Sequence, residues 1–326
     1  MDHKKKAHSL NFPESRIKDC AVKTIGGKSL SDPNKKNQDA NFLIKCFNGL
    51  ENGLLLGVMD GHGTNGHLIS SFVETHYVAN IKECTLSALN RSLASKSLHT
   101  KTITSAINSL EKNPMLEPGI FIEAFKMTND KLEHSSIDIS CSGTTLNTVL
   151  ILGSQLVCAN VGDSRAIIGT WSNKVWSVRA ISQDHKPDQP EECERIIKMN
   201  GRVANQKDNE GKSIGPARVW KKEKDIPGLA MSRSFGDKVA KEIGVIWTPS
   251  ITSINLNKND KIMVIGSDGI YDQLNNLQVI EIVSKFWSTG KAKDAAEELI
   301  NAARLKWIKE DEEVIDDITA IVVFFN

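Results

Sequence analysis

The chain has 326 residues, of which 40% are hydrophobic and 25% are charged, and its formal net charge at pH 7 is +1. A chain of this length and composition can bury a full hydrophobic core. The balanced charge provides no overall attraction to nucleic acid or to an anionic membrane surface, so no nucleic-acid partner is expected. No apolar run reaches the roughly 18 residues of a membrane-spanning helix, so no transmembrane segment is expected.

The six cysteines are scattered along the chain without a CxxC pair. A chain of this size does not need disulfides for stability, so we expect reduced thiols in a cytoplasmic and/or nuclear protein. Residues 1–19 lack the apolar stretch of a secretory signal and are interpreted as a flexible N-terminal extension. Residues 20–326 are interpreted as one domain, and the protein is expected to be a monomer.

Strands are predicted in several blocks of the chain. The first block comprises the segments at 39–47 and 53–60. After residue 144, three short segments rich in Val and Ile are separated by Gly-Ser or Gly-Asp, a pattern typical of an antiparallel meander. Further strands are predicted in the segments KVWSVRAIS, SITSINL, KIMVIGSDG and ITAIVVFF.

Helices are predicted between these blocks from apolar residues at helical spacing. They begin at Thr64, Pro118 and Pro190, and a final pair covers residues 278–287 and 291–307. The polar segment 85–118 is interpreted as a surface helix with a mobile connection, and a linker between domains is the alternative. Strands in blocks and helices in pairs predict an α+β layered sandwich rather than a doubly wound nucleotide-binding fold.

Acidic residues stand at four places where a predicted strand ends or begins. They are Asp60, Asp163, Asp268 with Asp272, and Asp316 with Asp317. One such Asp usually forms a turn, because its side chain bonds nearby backbone amides. If the four ends lie side by side, however, the carboxylates repel each other and need cations between them. Clustered carboxylates favour Mg²⁺ or Mn²⁺, whereas zinc requires more His and Cys.

Two residues directly after Asp60 extend this constellation. Gly61 permits close backbone approach, so its carbonyl is a candidate ligand beside Asp60. His62 titrates near neutral pH and is a candidate acid or base. The spacing alone leaves open the alternative that His62 only orders the turn through a hydrogen bond.

Six motifs occur in a fixed order along the chain. They are DGHGTNGHLIS, SGTTLNTVLILGSQLVCANVGDSRAII, SQDHKPDQPEECERIIKMNGRV, PGLAMSRSFGDKVAKEIGVIWTPSI, VIGSDGIYDQL and DDITAIVVFF. Together they resemble the metal-dependent type 2C serine/threonine protein phosphatases, most closely the plant-type branch and its protist relatives. The resemblance extends from about residue 20 to residue 326, and six ordered motifs are far more specific than a single glycine signature.

The resemblance implies both a fold and a metal site. The fold is a four-layer α-β-β-α sandwich, in which two antiparallel β-sheets are flanked by helix pairs. The metal site holds two Mg²⁺ or Mn²⁺ ions at one end of the sandwich, with a third ion held more weakly. The matching residues are Asp60 as the bridging ligand, the Gly61 carbonyl, Asp268, Asp316, Asp39 through water, and Asp163 and Asp272 for the third ion.

The resemblance also implies the reaction, which is hydrolysis of phosphoserine and phosphothreonine in protein substrates. Hydroxide activated by the two metals attacks phosphorus directly, and His62 is the general acid that protonates the departing oxygen. No covalent phosphoenzyme forms in this scheme, so no cysteine is assigned as a nucleophile. Cys141, beside SGTT, is interpreted as a small buried hydrophobe.

Other shared segments are given structural roles. The hydroxyls of Thr144 and Thr145 are expected to order the metal mouth, and Arg165 and Arg233 are expected to tie loops together. Residues of about 200–229 match the family's flap, which is expected to be mobile and to influence substrate choice.

The sequence departs from the family pattern at two places. Asn34 stands where many members have an Arg that binds the substrate phosphate, and Lys35 is the tentative substitute, although Lys lacks the planar fork of Arg. Asp317 stands where the family commonly has Asn, so it either adds negative charge behind the metal ligands or simply begins the strand.

Two other functions remain as alternatives to a protein phosphatase. One is a noncatalytic pseudophosphatase that serves as a binding module, which the retained carboxylates and His62 disfavour. The other is a two-metal hydrolase of other phosphoesters, such as a nuclease. The near-neutral charge and the lack of a basic-aromatic stripe argue against nucleic acid as its substrate.

Overall fold

The computed structural model describes residues 16–30, 34–95, 114–310 and 313–326. Within these ranges the chain forms eighteen strands and seven α-helices. The strands are β1 (Ile17–Ile25), β2 (Lys28–Ser29), β3 (Ala40–Lys45), β4 (Gly53–Met59), β5 (Gly61–His62), β6 (Gly143–Thr144), β7 (Leu146–Leu152), β8 (Gln155–Val161), β9 (Arg165–Ser172), β10 (Val175–Ala180), β11 (Gly201–Lys207), β12 (Ser213–Lys221), β13 (Lys224–Leu229), β14 (Phe235–Gly236), β15 (Ser250–Asn255), β16 (Asp260–Gly266), β17 (Val314–Ile315) and β18 (Ile318–Phe325). The helices are α1 (Gly66–Ser95), α2 (Pro118–Glu133), α3 (Pro190–Lys198), α4 (Lys238–Lys241), α5 (Asp268–Tyr271), α6 (Asn276–Trp287) and α7 (Ala292–Glu310).

Two five-stranded antiparallel sheets form the centre of the molecule. The β18 sheet has the strand order β1-β18-β16-β9-β10, and the β4 sheet has the order β15-β8-β7-β4-β3. Neighbouring strands in the middle of each sheet are buried on both faces, which explains their nearly continuous apolar sequences. The predicted α+β sandwich of two antiparallel sheets is therefore confirmed.

The period of two residues along each strand separates the layers of the core. In β4, Leu54, Leu56 and Val58 point into the core between the two sheets, whereas Leu55 and Met59 pack in the core under the helices. Side chains of successive strand residues point to opposite faces, so one strand lines two different cores.

A helix pair covers the outer face of each sheet. Helices α1 and α2 pack together on the β4 sheet, and helices α6 and α7 pack on the β18 sheet. The four predicted layers are thus present in the order α-β-β-α. No helix within the described ranges is both long enough and apolar enough to cross a lipid bilayer.

Helix α1 is longer than the sequence pattern predicts. It continues to Ser95, so residues 85–95 extend the helix that begins at Gly66. Thr85, Ala88 and Leu89 are buried in it, because they continue the stripe of Ile81 at helical spacing. The interpretation of this part as a surface helix is therefore wrong, and the predicted mobile connection falls on residues 96–113, outside the described residues.

Two further segments differ from the prediction or refine it. Strand β1 was not predicted. It begins at Ile17, which pairs with Phe325, so residues 17–19 belong to the sheet and not to the predicted extension. Residues 1–15 lie outside the described residues.

The predicted flap contains the three-stranded antiparallel sheet β11-β12-β13. Its mobility stays a prediction.

Candidate active site

The acidic residues singled out in the sequence stand at the ends of strands from both sheets. Asp60 directly follows β4 of one sheet, and Asp268 follows β16 of the other at the start of α5. Asp39 precedes β3, and its Oδ2 accepts a hydrogen bond from Ser267 Oγ at 2.8 Å. This bond joins the two sheets at the rim where their acidic ends meet.

The backbone of Asp60 is fixed by the two threonines of the SGTT motif. Its N–H donates to Thr145 Oγ1 at 2.9 Å, and its carbonyl accepts from the Thr145 N–H at 2.9 Å and from Thr144 Oγ1 at 3.0 Å. Both threonines are fully buried. They order the turn after β4, as expected from the sequence, and so fix the direction in which the Asp60 side chain leaves the sheet.

The carboxylates at this rim repel one another strongly. The pKa of Asp60 is raised well above its ordinary value by burial, and then by the charges of Asp268, Asp39 and Asp316. Burial and the neighbouring acids also raise the pKa values of Asp268 and Asp316. Burial raises the pKa of Asp39 to about 7. The structure thus places four of the predicted metal ligands within one electrostatic cluster.

The chemistry of this cluster fits a hard divalent cation. Buried oxygens of three carboxylates, Asp39 Oδ1, Asp163 Oδ1 and Asp268 Oδ1, have no hydrogen-bond partner in the described part of the chain. All candidate donors are oxygens, which Mg²⁺ and Mn²⁺ prefer. Among the described residues no three acidic, His or Cys side chains surround a point closely enough to hold an ion unaided.

Gly61 brings a backbone carbonyl next to this cluster. A Cβ on Gly61 would lie 2.6 Å from the carbonyl oxygens of Gln38 and Gly66. Such a distance is too short for any side chain, so only glycine permits this approach of three backbone segments. Because Gly61 directly follows Asp60, its carbonyl remains the candidate backbone ligand.

His62 is paired with a buried acid that the sequence analysis did not single out. His62 Nε2 lies 2.7 Å from Asp237 Oδ2, which also accepts from Ser234 Oγ at 2.6 Å. Burial lowers the pKa of His62, but the charge and the hydrogen bond of Asp237 outweigh it, and the pKa is raised overall. His62 Nδ1 has no partner among the described residues. Because the Nε2–H group donates its hydrogen bond to Asp237, Nδ1 is the nitrogen left for another ligand.

Asp317 proves to be a structural acid at the rim. It is 4% exposed, and its two oxygens accept from the backbone N–H groups of Gly27 at 2.6 Å and Gln38 at 2.8 Å. Lys35 Nζ lies 2.6 Å from Asp317 Oδ1 and 3.9 Å from Asp316 Oδ1. Asp317 therefore holds two loops behind Asp316, and the tentative phosphate-binding lysine reaches the rim through an ion pair.

Asp163 and Asp272, assigned to a third ion by resemblance, lie beside a lysine. Lys186 Nζ donates to Asp163 Oδ2. Burial raises the pKa of Asp272, while the Lys186 charge lowers it. Neither Lys186 nor Asp237 was singled out in the sequence, although both stand in quoted motifs, in DHKPD and SFGDK. The signal available in the sequence was a charged residue next to a proline, for Lys186, or next to a glycine, for Asp237.

The two arginines tie loops together, as expected. Arg165 binds Asp184 through two nitrogens at 2.9 and 2.6 Å, and Arg233 pairs with the buried Glu192 and also donates to the Thr248 carbonyl at 3.0 Å.

Cys141 is exposed, so its interpretation as a buried hydrophobe is wrong. The next residue, Ser142, is buried instead. Its Oγ accepts a hydrogen bond from the Asn65 N–H at 3.1 Å, and its carbonyl accepts one from the Asp237 N–H at 2.9 Å.

Residues 41–310 match the family model described as Protein phosphatase 2C. The chain belongs to the protein phosphatase 2C family. It is 36% identical over 295 residues to "Probable protein phosphatase 2C 64" of Oryza sativa subsp. japonica, covering 89% of this chain and 62% of that protein. It is 35% identical over 294 residues to "Probable protein phosphatase 2C 72" of Arabidopsis thaliana, covering 89% of this chain and 82% of that protein.

The protein phosphatase 2C fold is also that of a solved relative. The chain superimposes on the crystal structure of a serine-threonine phosphatase 2C from Toxoplasma gondii with a TM-score of 0.74 and 20% sequence identity, covering 94% of each chain. At that identity the likeness concerns the fold. The chain spans less than two thirds of the length of the rice relative.

Proposed function

We propose that this protein phosphatase 2C chain hydrolyses phosphoserine and phosphothreonine in proteins with the help of two Mg²⁺ or Mn²⁺ ions. The observation that carries the proposal is the meeting of acids from both sheets at one rim, where Ser267, the residue before Asp268, donates a hydrogen bond to Asp39. His62, which pairs with Asp237, stands two residues after Asp60 at the same rim. Acids from distant segments that repel one another at one rim need cations, and a paired imidazole beside them suits proton transfer.

In this proposal each rim residue has a definite task. Asp60, Asp268, Asp316 and the Gly61 carbonyl would hold the two ions, with Asp60 as the ligand common to both, and Asp39 would hold a water molecule. When bound, the two ions supply an activated water and neutralise the phosphate oxygens. The carboxylates of this chain hold them in place.

His62 is proposed as the general acid for the departing serine or threonine oxygen. Its Nε2 is bonded to Asp237, which fixes the ring, so Nδ1 is the atom that transfers the proton. Lys35 is proposed to help bind the substrate phosphate. Its ammonium lies 2.6 Å from Asp317 and is itself buried, so the side chain has to turn outward to offer its donors to phosphate oxygens.

The cellular setting is part of the same proposal. All six cysteines are free thiols, and three of them are buried. This suits a reducing compartment, the cytoplasm and/or the nucleus, where phosphorylated proteins are the substrates. A monomeric state stays a prediction.

The test is Mn²⁺-dependent release of phosphate from a phosphothreonine peptide by the whole chain. Chelation and Asp60→Asn are both expected to reduce release to background. Asp130→Asn is the matched control, because Asp130 lies half-exposed on α2 and its side chain pairs with the exposed Lys126. A folded, Mn²⁺-loaded chain that leaves the peptide intact would indicate a binding module. Cleavage of single-stranded DNA in its place would indicate a different phosphoester hydrolase.

A further inference from the structure

Aromatic and basic side chains form a patch at one end of the β18 sheet. This Trp287 patch consists of Trp171, Trp176, Trp287, Lys18, Lys174 and Lys261. Trp171 and Trp176 are cross-strand partners in the β9–β10 hairpin, with ring centroids 5.0 Å apart, and the ring centroid of Trp287 lies 6.1 Å from that of Trp176. The ammonium groups of Lys18 and Lys261 each lie 5.4 Å from the centroid of Trp287. Two cations therefore share one aromatic ring.

The positive charges of the patch repel one another. Lys18 Nζ is held in place at the end of α6, where it donates to the carbonyls of Trp287 and Ser288, both at 2.9 Å. Burial lowers the pKa of Lys261, and the charges of Arg16 and Lys18 lower it further. No acidic side chain of the described residues opposes this shift. Cations that are close together and lack acidic neighbours create a positive potential that attracts an anionic surface.

The tip of the β9–β10 hairpin adds an apolar side chain to the patch. Asn173 and Lys174 form the two-residue turn, with φ of 51° and 63°, as in a tight hairpin turn. Val175 directly follows and is 64% exposed. The turn thus presents a lysine and an exposed valine between two tryptophans. Basic, apolar and tryptophan side chains together are typical of surfaces that contact the interface of a lipid bilayer.

The Trp287 patch lies far from the acidic rim. Lys261 stands near the start of β16, whereas Asp268 directly follows the end of this strand. The seven residues between these positions span about 23 Å in an extended strand. The hairpin turn likewise follows the end of β9 that is remote from Arg165 and Asp163. A surface bound to the patch would therefore leave the acidic rim open to solvent.

The geometry favours a bilayer over a nucleic acid or an acidic peptide. Single-stranded nucleic acid stacks its bases on free aromatic faces, whereas lysines already lie over Trp287. An acidic peptide would use the charges but would leave the exposed Val175 without a role. Shallow insertion of the hairpin tip into a bilayer uses both, since tryptophan rings lie at the level of the lipid headgroups.

We propose that the Trp287 patch binds the surface of a membrane that contains anionic phospholipids, with the hairpin tip among the headgroups and the acidic rim facing away from the membrane. The net charge of +1 provides no overall attraction, so the binding is local to this end of the molecule. The inference concerns the location of the protein and does not depend on its proposed activity.

The test is sedimentation of the whole chain with vesicles of phosphatidylcholine and phosphatidylserine, compared with vesicles of phosphatidylcholine alone. The wild type is expected to bind only the first kind and to be released by high salt. Lys174→Gln combined with Lys261→Gln is expected to weaken binding at least about tenfold, at roughly fivefold for each lysine. The matched control is Lys126→Gln combined with Lys198→Gln, which removes the same charge from exposed lysines of α2 and α3. It is expected to bind as the wild type does.

Val175→Asp tests the hairpin tip without removing a lysine, and circular dichroism checks that each variant is folded. This variant is expected to bind more weakly, because a carboxylate at the tip opposes both insertion and the anionic headgroups. Equal binding to the two kinds of vesicle, no binding to either, or binding that neither folded variant weakens would overturn the inference. So would lysine-dependent binding of polyglutamate or single-stranded DNA without binding of vesicles. A wild type that binds the anionic vesicles but leaves a soluble phosphopeptide intact would overturn only the phosphatase proposal.

Discussion

His185 is a buried neutral imidazole, so acidification is expected to destabilise the fold through it. The side chain is 2% exposed; its Nδ1 accepts the Gly162 N–H at 3.1 Å and its Nε2 lies 2.8 Å from Ser250 Oγ. Because Nδ1 is an acceptor, the ring carries its proton on Nε2 and is neutral. Burial, and then the positive charge of Arg233, lower the pKa of His185 to about 3.

The sign and size of the effect follow from this depressed pKa. The unfolded chain binds the proton near pH 6.5, whereas the folded chain does not bind it until pH falls to about 3. The stability due to neutral His185 is therefore complete above pH 6.5 and is lost progressively below it. Between pH 7 and pH 5, the free energy of unfolding is expected to fall by about 2 kcal/mol through this residue alone.

The assay is urea unfolding of the wild type and of His185→Asn at pH 7 and pH 5. The Asn side-chain oxygen can still accept the Gly162 N–H but does not titrate in this range. The remaining titratable groups contribute equally to the wild type and to His185→Asn. The difference between the two proteins in the stability lost from pH 7 to pH 5 therefore isolates His185. If both proteins lose the same stability between the two pH values, the imidazole is not held neutral and the reasoning fails.

Two substitutions test ion pairs at the site and behind it. Asp237→Asn is expected to lower kcat by about 10²-fold with little change in KM, because it removes the charge that supports His62 as an acid. Steady-state kinetics on a phosphopeptide across pH checks this, and an unchanged kcat would separate Asp237 from catalysis. Arg233→Met is expected to lower the free energy of unfolding by about 3 kcal/mol in urea titrations, since it leaves Glu192 buried with Arg195 as its remaining cation. A loss below the error of the titration would mean that Arg195 alone suffices.

The sequence contained enough information for the layers and for the acidic rim. The continuous apolar runs of β4 and β18 reflect burial on two faces, so both segments could be predicted as strands. Strand β1 could not, because IKDCAVKTI is mixed in polarity and lies at the sheet edge, where pairing with β18 decides its conformation.

The hydrogen-bonded and ion pairs of the site were harder to predict from the sequence than the acids themselves. Asp237 lies 175 residues from His62 in sequence, and no periodic pattern connects them. Lys186 meets Asp163 where the preceding residues, His185 and Gly162, are hydrogen-bonded to each other, an arrangement that exists only in the folded chain. Residue types at strand ends can be read locally, whereas the partner of a buried charge is set by tertiary packing.

Strand β18 has a consequence for how the chain is made. It lies between β1 and β16, and every one of its residues is buried. A nascent polypeptide that has emerged only as far as residue 310 would leave the edges of β1 and β16 unpaired and exposed to association with other chains. The segment that carries Asp316 precedes this strand directly. Completion of the sheet and assembly of the acidic rim therefore both wait for the synthesis of residues 313–325.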